Sequence, residues 1–312
     1  MPVLVLIAFN PVSGRGRAAR AAAALADGLR RAGIACRTIA TERAPASEWL
    51  RPELAGARAL VVAGGDGAVR SVALEAARAN VPIWHAPLGT ENLFARHFGM
   101  TAEPAEVAAA IERGATVEMD LGLATAGTQG DPSHPSSATR SSMTFAIMAS
   151  VGFDAAVVHA LARRRAGAIT HASYLPALLE CLGRWEPPEL GWTIDGETER
   201  LGRGMVVLGN LPEYGIRLNP TPDARRDDGA LDAVFLPADS GWAALAWIPI
   251  LRLGAQRAHP AVRFRRGARI EVLADSPVVL QLDGDAAGPA EGARSLRLEV
   301  APQRLTVLSL PR

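Results

Sequence analysis

Hydrophobic positions in the first hundred residues alternate between short continuous runs and helical periods. Residues 3–9 form an apolar run that is typical of a strand buried on both faces, and Ala18 to Ala32 is an alanine-rich segment with helical spacing. Further strand-like segments are 34–40, 59–63 and 82–86, and further helical segments are 47–54 and 69–80. Strands that alternate with helices predict a parallel sheet with helices on both faces and ligands at the carboxyl ends of the strands.

The pattern changes beyond about Thr116, where short alternating segments replace the buried runs. The strand-like segments of this part are 117–124, 143–151, 205–208, 231–235, 268–273, 278–282 and 296–300. They predict a mainly antiparallel β-sandwich with helices at 168–185 and around 242–253, and a surface loop at 126–142 that is rich in Gly, Ser, Thr and Pro. We therefore expect a Rossmann-like α/β domain over 1–120 and a β-sandwich domain over 121–300, with 301–312 returning to the first domain.

Charge and composition narrow the range of functions. The chain has 312 residues, and its 33 basic residues, all of them arginine, nearly balance 32 acidic residues. This balance gives no electrostatic reason for a nucleic-acid partner, so we expect none. The lack of lysine excludes a Walker-type phosphate loop, which ends in Gly-Lys-Ser/Thr, and a Schiff-base lysine. A phosphate group would therefore be bound by backbone amides, arginine or a metal ion.

The cysteines and the hydropathy of the chain indicate where in the cell the protein is expected. Cys36 and Cys181 lie far apart and predict reduced thiols in a cytoplasmic protein. The apolar N-terminus is short and lacks a basic leader, so it is typical of a first strand rather than a signal peptide, and no stretch reaches the roughly 18 to 20 apolar residues that span a bilayer. We also expect transient contact with a membrane surface, at the inner membrane face. Arg163 to Arg165 could touch anionic headgroups, as could a face of Trp242, Trp247 and Arg252, although solvated or core positions are more common for such residues.

Three glycine-containing segments follow predicted strands of the first domain. Asn10 to Gly16 precedes a helix and suits an anion, although an ordinary strand-to-helix turn explains it equally well. Gly64 to Ala68 departs from the dinucleotide fingerprint, so a nicotinamide site is disfavoured. Its Asp66 would repel phosphate unless it faced Mg²⁺ or a metal-bound water; the alternative is a cap on the helix that begins near Ala68. Pro87 to Arg96 predicts a turn and a helix capped by Thr90.

These segments together resemble the diacylglycerol kinase catalytic-domain family, which includes bacterial lipid kinases and sphingosine kinases and is distantly related to NAD kinases and phosphofructokinases. The motifs that carry the resemblance are Asn-Pro-Val-Ser-Gly at 10–14, Gly-Gly-Asp-Gly at 64–67, Pro-Leu-Gly-Thr-Glu-Asn at 87–92, Val-Gly-Phe-Asp-Ala at 151–155, Gly209-Asn210, Asp-Gly-Ala-Leu-Asp at 228–232 and Leu-Asp-Gly-Asp at 282–285. They cover nearly the whole chain at the spacing of the family.

The resemblance implies roles for individual residues. The implied nucleotide-binding residues are Asn10, Pro11, Ser13, Gly14, Arg15, Thr41, Gly64, Gly65, Asp66, Gly67, Ala68, Thr90 and Asn92. Asp66 and Asp120 resemble the acidic pair near the phosphates and the catalytic Mg²⁺, although Asp120 is equally well explained as a hinge carboxylate. A structural Mg²⁺ is implied at the Asp228 carboxylate and the carbonyls of Arg225 and Ala230, where the residues alone indicate only a turn. Asp285 resembles the general base, which is usually Glu in the family; the alternative is a hairpin-turn aspartate.

The implied activity is ATP- and Mg²⁺-dependent transfer of the γ-phosphoryl group to a lipid hydroxyl, with the nucleotide in a cleft between the two domains. Diacylglycerol-like or sphingoid alcohols are the expected acceptors. Two departures, Ala68 where the family usually has Thr and Asp285 in place of Glu, favour an alternative: a nucleotide- or lipid-binding module that has lost turnover. An NAD kinase is a weaker alternative, because the Pro87 to Asn92 loop argues against it. The sequence leaves the oligomeric state open, a homodimer included.

Overall fold

A computed structural model describes residues 4–11, 16–42, 44–127, 142–164 and 173–310. The chain divides into two compact units. Unit 1 comprises Met1–Leu121 and Pro302–Arg312, and unit 2 comprises Gly122–Ala301. Ser13, Gly14 and Arg15 of the first glycine-containing segment and most of the predicted loop at 126–142 lie outside the described residues.

Unit 1 is built on a six-stranded sheet with the order β2-β1-β3-β4-β17-β5. Its strands are β1 (Leu4–Phe9), β2 (Cys36–Ala40), β3 (Ala57–Gly64), β4 (Ile83–Pro87), β5 (Thr116–Met119) and β17 (Leu305–Leu308). The first four strands pair in parallel, and β1, β3 and β4 are almost entirely buried, as their continuous apolar runs predict. The C-terminal strand β17 pairs in parallel with β4 and antiparallel with β5.

The helices of unit 1 include the predicted ones, with different ends, and one that was not predicted, α6. They are α1 (Arg17–Arg31), α2 (Ala46–Trp49), α3 (Arg51–Leu54), α4 (Asp66–Ala79), α5 (Leu93–Phe98) and α6 (Pro104–Arg113). The predicted helix over 47–54 is divided into two single turns at Leu50, just before Pro52, which cannot donate a backbone hydrogen bond. Helix α4 begins at Asp66, three residues before the predicted start, because the Gly65 carbonyl already accepts the amides of Ala68 and Val69.

In its described residues, unit 2 is mainly an antiparallel β-structure of eleven strands. They are β6 (Gly122–Gly127), β7 (Met143–Phe145), β8 (Met148–Val151), β9 (Glu189–Ile194), β10 (Glu197–Gly209), β11 (Leu231–Pro237), β12 (Arg263–Gly267), β13 (Arg269–Val278), β14 (Leu280–Leu282), β15 (Asp285–Ala287) and β16 (Ala293–Val300). Nine follow the order β15-β14-β8-β10-β9-β13-β16-β6-β7, and β11 joins β10 to β12. Alternating side chains around Trp192, Phe145 and Phe235 form one core. The predicted fold class, α/β followed by an antiparallel β-sandwich, is confirmed.

The described part of unit 2 also contains the helices α7 (Phe153–Arg163), α8 (Tyr174–Arg184) and α9 (Gly241–Arg252). Trp247 is 4% exposed, and its indole Nε1 donates to the Pro237 carbonyl, so this tryptophan belongs to the core, one of the positions that the sequence analysis favoured over a membrane-facing one. Among the described residues, no helix is long and apolar enough to cross a membrane.

Candidate functional site

The carboxyl ends of β1 and β2 bring two predicted nucleotide-binding segments together in unit 1. Asn10 and Pro11 follow β1, and Thr41 follows β2. The Thr41 amide donates to the Phe9 carbonyl at 2.8 Å, which holds the start of the second segment beside the end of β1. Parallel pairing of the two strands therefore positions these residues at one edge of the sheet.

The next two strands, β3 and β4, end in loops that touch backbone to backbone. The Leu88 amide donates to the Gly64 carbonyl at 2.8 Å. A Cβ atom added to Gly89 would lie 2.7 Å from the Cα of Gly65, and one added to Gly65 would lie 3.2 Å from the Cα of Gly89. Gly89 therefore has no room for a side chain, and a Cβ atom at Gly65 would also press against the Gly89 loop.

The turn after β4 is closed by the side chain of Asn92. Its Oδ1 accepts the Gly89 amide at 2.8 Å, and its Nδ2 donates to the Gly89 carbonyl at 2.9 Å. Asn92 itself has a φ of 50°, a left-handed conformation that asparagine tolerates. The following helix begins at Leu93, so the prediction that Thr90 caps it is wrong: Thr90 lies inside the turn, two residues too early.

The cap of α5 comes from Asp66, in the neighbouring loop. Its Oδ2 accepts the Leu93 amide and its Oδ1 accepts the Phe94 amide, both at 2.9 Å. These are the first two amides of α5, which have no partner inside the helix. Asp66 therefore caps a helix, as the structural alternative predicted, but α5 rather than the helix that contains Ala68. Each carboxylate oxygen keeps a further lone pair that can face a second group.

Beneath these loops lies His85, a completely buried residue of β4. Its Nε2 lies 2.9 Å from the Gly64 carbonyl, which can only accept, so Nε2 carries the hydrogen. Burial lowers the pKa of His85, against a smaller raising effect of the Asp66 carboxylate. A neutral imidazole therefore supports the glycine loop from below.

Asp120 lies at the opposite end of the same sheet. Asp120 follows Met119, which pairs with Leu305 of β17. Two residues further along β17, Val307 pairs with Ile83, the first residue of β4, so Asp120 lies beyond the N-terminal end of β4. The loop of Gly89 and Asn92 follows the last residue of β4. At roughly 3.3 Å per residue the five residues of β4 alone separate the two edges by about 15 Å. The structure thus does not bring Asp120 to Asp66, which corrects the expectation of an acidic pair.

The buried carboxylate of Asp120 is paired with an arginine that the sequence analysis missed. The Nε of Arg304 lies 3.0 Å from its Oδ1, and the Asp120 side chain is 2% exposed. The antiparallel pairing of β5 with β17 brings the two residues together, since each adjoins one of these strands. This contact supports the alternative of a structural carboxylate for Asp120.

In unit 2, the turn that carries Asp285 is fixed by its neighbour Asp283. Asp283 Oδ2 accepts the Ala146 amide, and Oδ1 accepts the amides of Ile147 and Met148, at 2.8 to 2.9 Å. Asn210 secures the same loop, because its Nδ2 donates to the Ala146 carbonyl at 2.8 Å. The sequence did not indicate this role of Asp283, although the residue belongs to the Leu-Asp-Gly-Asp motif. Asp285 is the first residue of β15, two positions after Asp283.

The predicted structural metal site contains an arginine. Arg266 forms an ion pair with Asp228, and its Nε lies 3.9 Å from Asp232, its register partner across β11 and β12. The remaining oxygen of Asp228, Oδ1, accepts the Ala230 amide at 3.2 Å. Burial raises the pKa of Asp232, and the positive charge of Arg266 opposes that effect. The guanidinium thus already supplies positive charge to this carboxylate pair, and the metal site at Arg225, Asp228 and Ala230 stays a prediction.

We expect Arg266→Ala to lower the melting temperature of the protein in the absence of divalent ions, because Asp228 and Asp232 lose their counter-charge. Saturating Mg²⁺ should restore stability in this variant, by about 2.7 kcal/mol at a hundredfold excess over the dissociation constant. If Arg266 takes the place of a metal ion beside Asp228, the melting temperature of the wild type should not respond to Mg²⁺ without nucleotide, whereas an occupied metal site would make it respond. Arg265→Ala is the matched control, because Arg265 pairs with Glu199 instead. A wild-type protein stabilised by Mg²⁺ alone would contradict this expectation. Differential scanning calorimetry gives the measurement.

The residues at the loop edge of unit 1 fit a nucleotide better than a protein-built metal site. The glycine contact leaves backbone free for close approach, and α4 begins directly after it with its unpaired amides. No group of three or more His, Cys, Asp or Glu side chains that could hold a metal occurs in the described part of the chain. Mg²⁺ commonly binds through substrate phosphates and water together with one or two carboxylates, and Asp66 can supply one.

Comparison with known proteins agrees with this architecture. Residues 3–124 match the diacylglycerol kinase catalytic domain, and residues 147–309 match the YegS C-terminal NAD kinase beta sandwich-like domain. A diacylglycerol kinase from Mycobacterium tuberculosis is 29% identical over 96% of this chain and 93% of its own length. A probable YegS-like lipid kinase from Pseudomonas aeruginosa is 30% identical over 81% of this chain and 77% of its own length. A putative diacylglycerol kinase structure from Bacillus anthracis superposes with a TM-score of 0.68 at 18% identity, covering 99% of this chain and 98% of that one.

The fold and the loop cluster define a two-domain protein with an α/β unit and a β-sandwich unit of the NAD kinase type. Within that class, the chain belongs to the diacylglycerol kinase family, in its YegS-like branch. The resemblance drawn from the motifs is thereby confirmed.

Proposed function

We propose that this protein is a lipid kinase that transfers the γ-phosphoryl group of ATP, with Mg²⁺, to the hydroxyl group of a lipid alcohol. The observation that carries the proposal is the loop cluster of unit 1, in which Gly65 and Gly89 touch and Asp66 joins the two loops. Family membership supports the same reaction class, because the curated relatives are named as diacylglycerol and lipid kinases.

In this proposal the residues of unit 1 bind the donor. The free amides at the start of α4 and the backbone of the Gly64–Gly65 and Gly89 loops orient the phosphates. Asn10, Pro11 and Thr41 lie at the same edge of the sheet and contact the rest of the nucleotide. Bound ATP with Mg²⁺ supplies the phosphoryl group and neutralises part of its charge. The lack of lysine is compatible with this mode, because backbone amides replace a phosphate-binding lysine.

Asp285 acts on the acceptor. As the acceptor oxygen bonds to phosphorus and the bond to the ADP leaving oxygen breaks, the hydroxyl proton moves to the Asp285 carboxylate. Aspartate is one methylene shorter than the glutamate that is usual in the family, so the turn must bring its carboxylate closer. Asp283 and Gln281 restrain that turn, which supports a defined position for the base.

The deciding experiment offers radiolabelled ATP and Mg²⁺ with diacylglycerol, sphingoid bases, other lipid alcohols and NAD, each in mixed micelles or solution. A labelled phospholipid supports the proposal. Binding of Mg-ATP by the folded protein without any labelled product would favour a module that has lost turnover. Labelled NADP as the sole product would make the protein an NAD kinase. Ala68→Thr combined with Asp285→Glu then tests for lost turnover, because a large gain in rate would indicate decay.

We further propose that the acceptor is reached from an anionic bilayer surface, through an apolar face formed by α8 and α9. We call Leu175, Leu179, Trp242 and Leu253 the α8–α9 face; their exposed fractions are 57%, 60%, 66% and 81%. Exposed residues recur at helical spacing at 242, 246 and 249 in α9 and at 253 directly after it, and none of these four is charged. The two helices pack closely, since a Cβ on Gly241 would lie 2.9 Å from the Leu182 backbone.

Charge favours a bilayer as the occupant of this face. Arg184 and Arg252 stand at the C-terminal ends of the two helices and form no ion pair with any described residue. Glu180, the acidic residue of α8, is neutralised by Arg163 and Arg164. An exposed tryptophan and leucines bordered by free arginines match the chemistry of an anionic lipid interface. Arg165, part of the predicted basic run, lies outside the described residues.

Sedimentation with vesicles checks the α8–α9 face. We expect binding to phosphatidylglycerol-containing vesicles to exceed binding to pure phosphatidylcholine. Leu179→Gln combined with Trp242→Gln should reduce the partition coefficient at least roughly tenfold, since each buried apolar side chain contributes about 1.5–3 kcal/mol. Ile216→Asn, which alters an exposed apolar side chain elsewhere in unit 2, is the control and should bind as the wild type does. If the double variant instead dissociates a homodimer without changing vesicle binding, the face is an interface between copies.

A further inference from the structure

A carboxylic acid that takes no part in the proposed reaction lies in the first turn of α7. Asp154 is partly exposed as a residue, but its Oδ1 atom is buried, and Ser150 of β8 donates a hydrogen bond from its hydroxyl to Asp154 Oδ2. Tyr214 contributes a longer contact, with its hydroxyl 3.5 Å from the same oxygen. Burial raises the pKa of Asp154, against the lowering effects of Ser150, of the amides at the start of α7 and of Tyr214.

A chain of hydrogen bonds connects Asp154 to the turn that carries Asp285. Gln281 of β14 lies opposite Ser150 in register, and its Nε2 donates to the Ser150 hydroxyl at 2.9 Å. The Oε1 of Gln281 accepts the Gly284 amide at 2.8 Å. Ser150 and Gln281 are both completely buried, so water does not compete for these bonds.

The Gly284 amide, at one end of this series of hydrogen bonds, determines the direction of every bond in the series. The Gly284 amide can only donate, so Gln281 must present its Oε1 to Gly284 and its Nε2 to Ser150. The Ser150 hydroxyl then accepts from Gln281 and gives its own proton to Asp154. Asp154 is thus the terminal acceptor that orders both side chains and, through them, the backbone at Gly284.

The constrained backbone adjoins the proposed base. Gly284 has a φ of 84° and Asp283 a φ of 50°, both left-handed, so the turn between β14 and β15 is held in a conformation that most residues avoid. Asp283 anchors one side of this turn to the loop at 146–148, and Gln281 anchors the amide immediately before Asp285. A shift of about 1 Å in a reacting group can reduce a rate on the order of 10²-fold.

We infer that Asp154 is a positioning residue, which holds Asp285 in place for proton removal through Ser150, Gln281 and the Gly284 amide. The inference rests on the proposed function, because it assigns a role within that reaction. Asp154 does not touch the acceptor in this assignment. Asp154 contributes by holding the turn between β14 and β15 in one conformation.

Two variants of Ser150 test the inference with little change of shape. Ser150→Cys preserves the volume of the side chain and replaces the hydroxyl with a weak donor, and Ser150→Ala removes the group. We expect kcat to fall about 10- to 100-fold in both, whereas KM for ATP and for the lipid stays within about twofold, because only the base is misplaced. The melting temperature of Ser150→Cys should stay close to that of the wild type.

His159→Leu is the matched control. The His159 ring also connects α7 to β14, with Nε2 2.8 Å from the Leu280 carbonyl, but lies outside the chain of hydrogen bonds. This variant should lose thermal stability and keep its kcat in the folded fraction. The inference is overturned if Ser150→Cys retains full kcat, or if both Ser150 variants lose activity only in proportion to stability, as His159→Leu does. If the wild type binds Mg-ATP but transfers no phosphoryl group, that result contradicts the proposed function itself rather than the role of Asp154.

Discussion

Asp285→Asn is expected to lower kcat by about 10²- to 10⁴-fold, the range that a general base contributes, and to leave ATP affinity unchanged. The amide cannot accept the proton of the acceptor hydroxyl, yet it has nearly the shape of the carboxylate. The side chains of Asp283 and Gln281 restrain the turn, so the substitution should leave the fold intact. Steady-state kinetics with ATP and the acceptor found by the lipid panel gives kcat, and calorimetric titration gives the affinity for ATP.

The matched comparison is Asp285→Glu, which restores the residue usual in the family. It keeps a base and should retain far more activity than the Asn variant. Glu291→Gln serves as a control for loss of charge nearby in sequence, at an exposed position before β16, and should behave as the wild type does. Full activity of Asp285→Asn would exclude Asp285 as the base, whatever the Glu variant does.

Asp66→Ala is expected to affect stability and donor binding together. The carboxylate accepts the first two amides of α5, and hydrogen bonds to a charged group contribute roughly 1.5–3 kcal/mol each. Their loss should decrease the free energy of unfolding by about 3 kcal/mol or more even without nucleotide. Because Asp66 also connects the two loops, the affinity for Mg-ATP should fall as well. Urea unfolding and calorimetric titration measure the two effects.

Asp27→Asn is a suitable control for Asp66→Ala, since Asp27 is an exposed carboxylate of α1 that pairs with Arg30 at 3.0 Å. Exposed pairs of this type contribute little, so this variant should unfold within about 0.5 kcal/mol of the wild type. Unchanged stability of Asp66→Ala, with Mg-ATP affinity lost, would show that Asp66 serves the metal and not the helix.

The sequence predicts the loop cluster well because its signals are local. A buried strand followed by glycines and a helix identifies each loop, and parallel pairing then brings the carboxyl ends of β1 to β4 to one edge. Asp120 was misplaced because it follows β5, which runs opposite to β17, and hydrophobic pattern does not encode strand direction.

Contacts between segments that are distant in sequence account for the other differences between the predictions and the structure. Asp66 caps a helix that begins 27 residues later, and Arg266 meets Asp228 and Asp232 only through the register of β11 with β12. Trp247 is buried although its helix is apolar on every side, so the pattern alone could not distinguish it from exposed Trp242. In each case the local pattern limits the alternatives, and tertiary pairing selects among them.

The position of β17 has a consequence for how the chain acquires its structure. This strand lies in the interior of the first sheet, between β4 and β5, yet it is translated after the whole of unit 2. Domains usually fold in the order in which the ribosome makes them. Here the N-terminal unit keeps an open strand position until Leu305–Leu308 emerges, so its sheet is completed last. Unit 2, whose strands are contiguous in sequence, can finish folding first.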